Sequence, residues 1–175
     1  TIEYDLNTQL WHDRGTWISE DNRFIAWRPR FHAFAFNQHR MLDSITGALY
    51  RMDEDIFTEV EERPVRRIRR APMIFNENER IFINEFELIA ETGLGLTPTV
   101  PPSNDSSNPQ VMMRMSNDGG KTWGPERCVS AGKIGEYDAV VKWDCCGQAR
   151  RRVFEVVFTD PVPWRIMNAY LRLGQ

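Results

Sequence analysis

The chain has 175 residues, 41% of them hydrophobic and 11% aromatic, with ten Phe and six Trp, enough apolar material to bury a core and to exclude wholesale disorder. Its 22 basic and 25 acidic side chains leave a net charge of −3, so no global positive field points to nucleic acid or to an anionic membrane surface. No run of about 18 apolar residues offers a membrane-crossing helix, and no membrane insertion is expected.

The dominant periodicity is two, the mark of strands. The first pair is IEYDL and QLWHDRG, joined by a tight turn at Asn7-Thr8. In residues 31–36, Phe31, Ala33 and Ala35 alternate with His32, Phe34 and Phe36. A turn at Asn37-Gln38 leads into HRMLD, and the turn SITG leads into ALYRMD, with Gly47 where positive φ is needed. YDLNTQLWHDRG and DSITGALYRMD share one order: an acid, small turn residues, then an aromatic-bearing strand. That weak repeat suggests propeller blades, with a plain antiparallel meander as the competing reading. Closure takes at least about four blades. Residues 1–62 are therefore read as a propeller-like blade segment, completed by upstream residues of a longer chain.

Residues 61–72, EERPVRRIRRAP, carry five arginines. Arg67 and Arg69 alternate with Ile68, as on a strand with one wet face. Neighbouring Glu61 and Glu62, and the lack of interleaved aromatics, favour a solvated or interface strand over a phosphate-binding patch. Arg66, Arg67, Arg69 and Arg70 are the candidates for an interface or DNA-facing role.

IFINEFELIA, residues 81–90, is apolar on both faces in places and reads as a central strand. Residues 93–110, with four prolines and a Ser/Asn cluster, read as an exposed, mobile loop. Strands then resume. Val111, Met113 and Met115 share a face; Tyr137, Ala139, Val141 and Trp143 align in YDAVVKW; Phe154, Val156 and Phe158 align in ARRRVFEVVFTD; WRIMNAYLRL closes the run. No segment has apolar i, i+3, i+4, i+7 spacing of helical length. The whole chain is expected to be all-β, with residues 63–175 an antiparallel β-sandwich of six or seven strands.

Ser116 to Trp123, SNDGGKTW, fit the Asp-box pattern S/T-x-D-x-G-x-T-W. Asp118 is placed to accept backbone N–H groups of its own turn, and Gly120, with Gly119 beside it, permits positive φ. Ser116 and Thr122 offer hydroxyls across the hairpin mouth, and Trp123 is expected to bury its ring against the strands. The structural Asp-box set is thus Ser116, Asp118, Gly120, Thr122 and Trp123. Such turns also occur in sialidase-like propellers, remote from the catalytic pocket. A sialidase needs an arginine cluster, a Tyr nucleophile and an acid/base carboxylate, and no such constellation can be assembled from motif spacing here.

No catalytic residue, cofactor, metal or small-molecule substrate is expected. His12, His32 and His39 are scattered at spacings that match no metal motif. No GxSxG, Walker loop or GxGxxG occurs. Cys128, Cys145 and Cys146 read as reduced structural thiols, since neighbouring Cys145 and Cys146 could hardly pair without strain.

Taken together, the ordered run from Pro109 to Leu171 resembles the C-terminal region of tail hub proteins of short-tailed bacteriophages, also described as packaged-DNA stabilisation or head-to-tail connecting proteins. The features matched are SNDGGKTWG, GKIGEY at Gly132–Tyr137, the strand ending near Trp143, RRRVFEV and TDPVPWRIMNAY. Upstream, YDLNTQLWHDRGTW, DSITGALYRMD and the stretch from PVRRIRRAP to AETGLG are also similar. Adjacent Cys145 and Cys146 depart from the family, where a Leu-Gly-like turn is expected. The resemblance implies a non-enzymatic component of the virion tail, made in the host cytoplasm. It implies a homo-oligomeric, sixfold ring that contacts portal or adaptor and tail needle or spike proteins, closes the channel and helps retain packaged DNA. The competing functional reading is a glycan-binding or sialidase-like β-propeller protein.

Overall fold

A computed structural model describes residues 1–53, 55–59, 63–95 and 108–174. Every helix or strand among these residues is a strand, and the chain divides into two compact units, Thr1–Thr58 and Glu59–Gln175.

In the first unit, β1 (Ile2–Asp5) pairs with β2 (Leu10–Asp13), and β3 (Gly15–Ile18) pairs with β4 (Arg23–Ala26). A three-stranded meander follows: β5 (Pro29–Ala35), β6 (Gln38–Asp43) and β7 (Leu49–Met52). The turn between β5 and β6 sits one residue earlier than expected. Phe36 (φ 54°) and Asn37 (φ 57°) both lie in the left-handed region, which gives the two-residue turn the twist its flanking strands require.

The shared order seen in the sequence has a local cause. Asp5 accepts the Asn7 N–H at 2.8 Å and the Thr8 hydroxyl at 2.7 Å. Asp43 likewise accepts the Ile45 N–H at 2.9 Å and the Thr46 hydroxyl at 2.8 Å. In both turns the residue four after the acid is left-handed, Gln9 at 57° and Gly47 at 71°. Asp43 does more: its fully buried carboxylate also takes the Arg28 guanidinium at 2.5 Å and the Tyr50 hydroxyl at 3.3 Å. Arg28 and these hydrogen bonds hold the Asp43 carboxyl well below the usual carboxylate range.

This unit buries polar side chains at its centre, Thr16, Arg28 and Asp43, and among the described residues its one buried apolar side chain is Met41. Many of its large apolar side chains, Phe31, Phe34, Phe36, Leu49 and Trp11 among them, are exposed.

The second unit is built differently. Its five-stranded sheet runs β12 (Arg127–Ser130), β11 (Gln110–Ser116), β15 (Arg151–Phe158) and β8 (Arg67–Arg70), with β9 (Ile74–Phe75) also paired to β15. In the four-stranded sheet, β10 (Ile81–Ala90) is central, with β16 (Ile166–Leu173), β13 (Val141–Asp144) and β14 (Gln148–Ala149) all paired to it. All pairings are antiparallel. Side chains of both sheets meet in one core. Phe86 stacks on Trp143 (centroids 5.6 Å apart) and on Phe154 (4.5 Å), among Ile83, Leu88, Val111, Met113, Val156 and Phe158. This is a β-sandwich.

Two strands depart from expectation. In β10 the apparent double apolar face comes from a bulge: the register against β16 shifts between Ile83 and Glu85. Ile81 and Ile83 face the core before it, and Phe86, Leu88 and Ala90 after it, because one extra residue inverts the alternation. The strand expected from Tyr137 begins only at Val141. Residues 132–139 instead form turns. The Gly135 N–H donates to the Gly93 carbonyl at 3.0 Å, and the Lys133 N–H donates to Glu136 at 2.8 Å. A Cβ on Gly93 would stand 2.8 Å from the Glu136 backbone, so this packing demands glycine there. The loop expected over 93–110 lies mostly outside the described residues, which resume at Asn108.

Candidate functional site: the Asp118 loop on the arginine strand

The segment joining β11 to β12 is organised by Asp118. Its Oδ1 accepts the Lys121 and Thr122 N–H groups at 2.9 Å each, and its Oδ2 accepts the Thr122 hydroxyl at 2.6 Å. Ser116, 1% exposed at the end of β11, donates its hydroxyl to Asp118 Oδ1 at 2.7 Å and accepts the Gly120 N–H at 2.8 Å. Gly119 and Gly120, at φ 79° and 94°, supply the left-handed backbone that brings these donors round the carboxylate. The Thr122 hydroxyl and N–H, then the Ser116 hydroxyl, hold the Asp118 carboxyl well below the usual carboxylate range. Ser116, Asp118, Gly120 and Thr122 therefore form one hydrogen-bonded set.

The half-buried Trp123 ring lies over two guanidiniums carried by the strands, Arg114 of β11 (4.8 Å) and Arg70 of β8 (5.0 Å). Beneath them is Glu155, with no exposed surface. Arg114, Glu155 and Arg70 stand directly opposite one another on β11, β15 and β8, a row across three neighbouring strands. Glu155 accepts from Arg114 Nε at 2.6 Å through one oxygen and from Arg70 Nη2 at 2.7 Å through the other. An anion so far from water is tolerable only with such pairing.

The arginine strand and the Asp118 loop, read separately in the sequence, thus form one assembly. Arg66 pairs with Glu126 of the loop at 3.2 Å. Arg67 turns to the other side, donating to the backbone carbonyls of Val162 (2.8 Å) and Asp160 and stacking on Phe158 at 4.7 Å. Burial pulls the Arg67 pKa down to about 10, so it stays charged at neutral pH. Arg70 holds Glu155, as above. Arg69 is exposed, and among the described residues its side chain makes no ion pair or hydrogen bond.

Three contributors escaped the sequence reading: Arg114, Glu126 and Glu155. One signal was there. A lone acid inside the apolar run VFEVVF has to find a cation if both faces of its strand are covered. Chemically the site is closed. Both oxygens of Asp118 are taken by its own loop, and both of Glu155 by arginines, so neither is poised to accept a proton from an incoming molecule.

A search of curated proteins found no match to the chain. The family model described as "Bacteriophage P22 Gp10, beta-sandwich" matches residues 66–174, which takes in the arginine strand, the Asp118 loop and the sandwich that carries them. The chain therefore belongs to the bacteriophage P22 Gp10 β-sandwich family.

Proposed function

We propose that the chain is a structural component of a bacteriophage tail hub, and that it acts through rigid assembly rather than catalysis. The observation that carries this reading is the family match over residues 66–174, the part of the chain with its own apolar core. The site supports it: the Ser116, Asp118 and Thr122 side chains bind one another and the loop backbone, and Glu126 ties the loop to Arg66. A scaffold needs that stiffness, and an active centre needs an unsatisfied group.

The finer reading follows the resemblance. The protein is a virion component of a short-tailed phage, forming a homo-oligomeric, sixfold ring at the head-to-tail junction. There it meets portal or adaptor and needle or spike proteins and helps retain packaged DNA. The first unit is part of a β-propeller. Supporting this are the matched acid–Thr turns at Asp5 and Asp43, which recur after roughly 40 residues, close to a propeller-blade period. The exposed apolar faces of its strands would then be covered by adjoining blades. Of Arg66, Arg67, Arg69 and Arg70, Arg69 is the one left available for an outside contact, including DNA.

Cryo-electron microscopy of the intact particle tests the reading. A ring of this chain between the head and the tail tip is expected; its absence from the virion, or a place on the capsid shell, would overturn it.

A further inference from the structure

The histidines that looked scattered along the chain are not all apart. His32 on β5 and His39 on β6 project from the same face of a two-residue hairpin. Their ring nitrogens, His32 Nε2 and His39 Nδ1, meet at 2.8 Å. The rings lie near parallel, 21° between planes and 5.1 Å between centroids, and both are exposed. Phe34, directly opposite His39 in register, packs on its ring at 5.0 Å.

We propose that His32 and His39 form a two-imidazole site for a late first-row divalent cation of the Ni²⁺, Cu²⁺ or Zn²⁺ class. The nitrogen separation is close to what such an ion needs. With metal–nitrogen bonds of roughly 2.1 Å, two nitrogens at a right angle about the metal stand about 3.0 Å apart, and at a tetrahedral angle about 3.4 Å. The observed 2.8 Å is near the first value, but the 5.1 Å between centroids places the two nitrogens head-on along the line of ring centres, so both exposed imidazoles must turn before their lone pairs converge on one ion. Neutral imidazole nitrogen suits these ions and disfavours Mg²⁺ and Ca²⁺, which take oxygen.

The proton balance is simple. In the neutral pair one of the two facing nitrogens carries the shared proton. On metal binding that ring changes tautomer, the proton moves to its other nitrogen, and both facing lone pairs reach the ion with no net proton release. Among the described residues no third His, Cys, Asp or Glu joins them, so water completes the coordination sphere and the affinity is modest. The bound ion would staple β5 to β6 beside their turn, in a unit with little apolar core, and would stabilise it by mass action.

The test is calorimetric titration of Ni²⁺ into the full chain carrying Cys128→Ser and Cys145→Ser, which removes the exposed competing thiols. One equivalent should bind, Mg²⁺ should give no heat, and His32→Ala or His39→Ala should each weaken binding by about tenfold or more. His12→Ala should change nothing. In the protein with all its histidines, Ni²⁺ should broaden the ring resonances of His32 and His39 before those of His12, which gives an answer even if a variant misfolds. No binding at millimolar Ni²⁺, binding that survives either substitution, or broadening centred on His12 would each remove the proposal.

Discussion

Asp118 shows how much one carboxylate can organise. Two backbone N–H groups and two hydroxyls converge on it, and all come from residues within four positions. Because its pKa in the fold is depressed, its ionised form stabilises the protein fully above the ordinary carboxylate value of about 3.9, and that contribution drains away as pH falls through the lowered value. Asp118→Ala should therefore lower the melting temperature at neutral pH. The gap between wild type and Asp118→Asn should stay constant down to about pH 4 and narrow only below it. A gap that already closes between neutral pH and pH 5 would show that the carboxylate is not held this way. Trp123 makes a separate contribution. Its ring covers two guanidiniums, so Trp123→Ala should cost about 1–3 kcal/mol, while Trp123→Phe keeps most of the cation–π contact. Urea denaturation of both variants measures the difference; equal losses would mean that ring size, not the aromatic face, is what counts.

Among the elements, β15 decides the most. It pairs with β11 on one side and with β8 and β9 on the other, and both of its faces are covered. One face carries Phe154, Val156 and Phe158 into the core; the other carries Glu155 between Arg70 and Arg114. Removing only the acid leaves two guanidiniums facing each other without their counter-charge. Glu155→Ala should accordingly destabilise the second unit by about 3–5 kcal/mol, whereas replacing Arg70, Arg114 and Glu155 together with apolar residues should cost much less. Chemical denaturation of the single and triple variants checks this; a triple variant as unstable as the single one would contradict it. The alternation of β15 was legible in the sequence. The bulge in β10 was not, because an extra residue leaves no mark in an apolar run such as IFINEFELIA. The late start of β13 escaped for another reason. Ala139 and Val140 continue the strand-like composition, but the Gly132–Glu136 turns are held by contacts to the distant Gly93.

On the scale of the whole molecule, the two units differ in what stabilises them. Residues 59–175 have a continuous aromatic and aliphatic core, and residues 1–58 have a buried ion pair, satisfied turns and exposed apolar strand faces. Expressed separately, 59–175 should unfold cooperatively with dispersed amide resonances. Residues 1–58 alone should show neither property, since an ion pair rarely repays its own desolvation and one buried methionine adds little. A well-folded 1–58 fragment in solution would refute that difference.

What the amino-acid order determined without help is short-range: the alternation that makes strands, and the acid–Thr and acid–glycine turns at Asp5, Asp43 and Asp118. The bonds that close these turns join residues within four positions, so that chemistry is written in consecutive letters. What only the tertiary structure decided is which strands adjoin. Arg70 and Glu155 are 85 positions apart, and Arg114 and Glu155 are 41. The register of β11, β15 and β8 alone makes those side chains neighbours and turns an apparently solvated row of arginines into the bed on which the Asp118 loop lies. Register is set by the packing of the core as a whole, and no local run of residues encodes it.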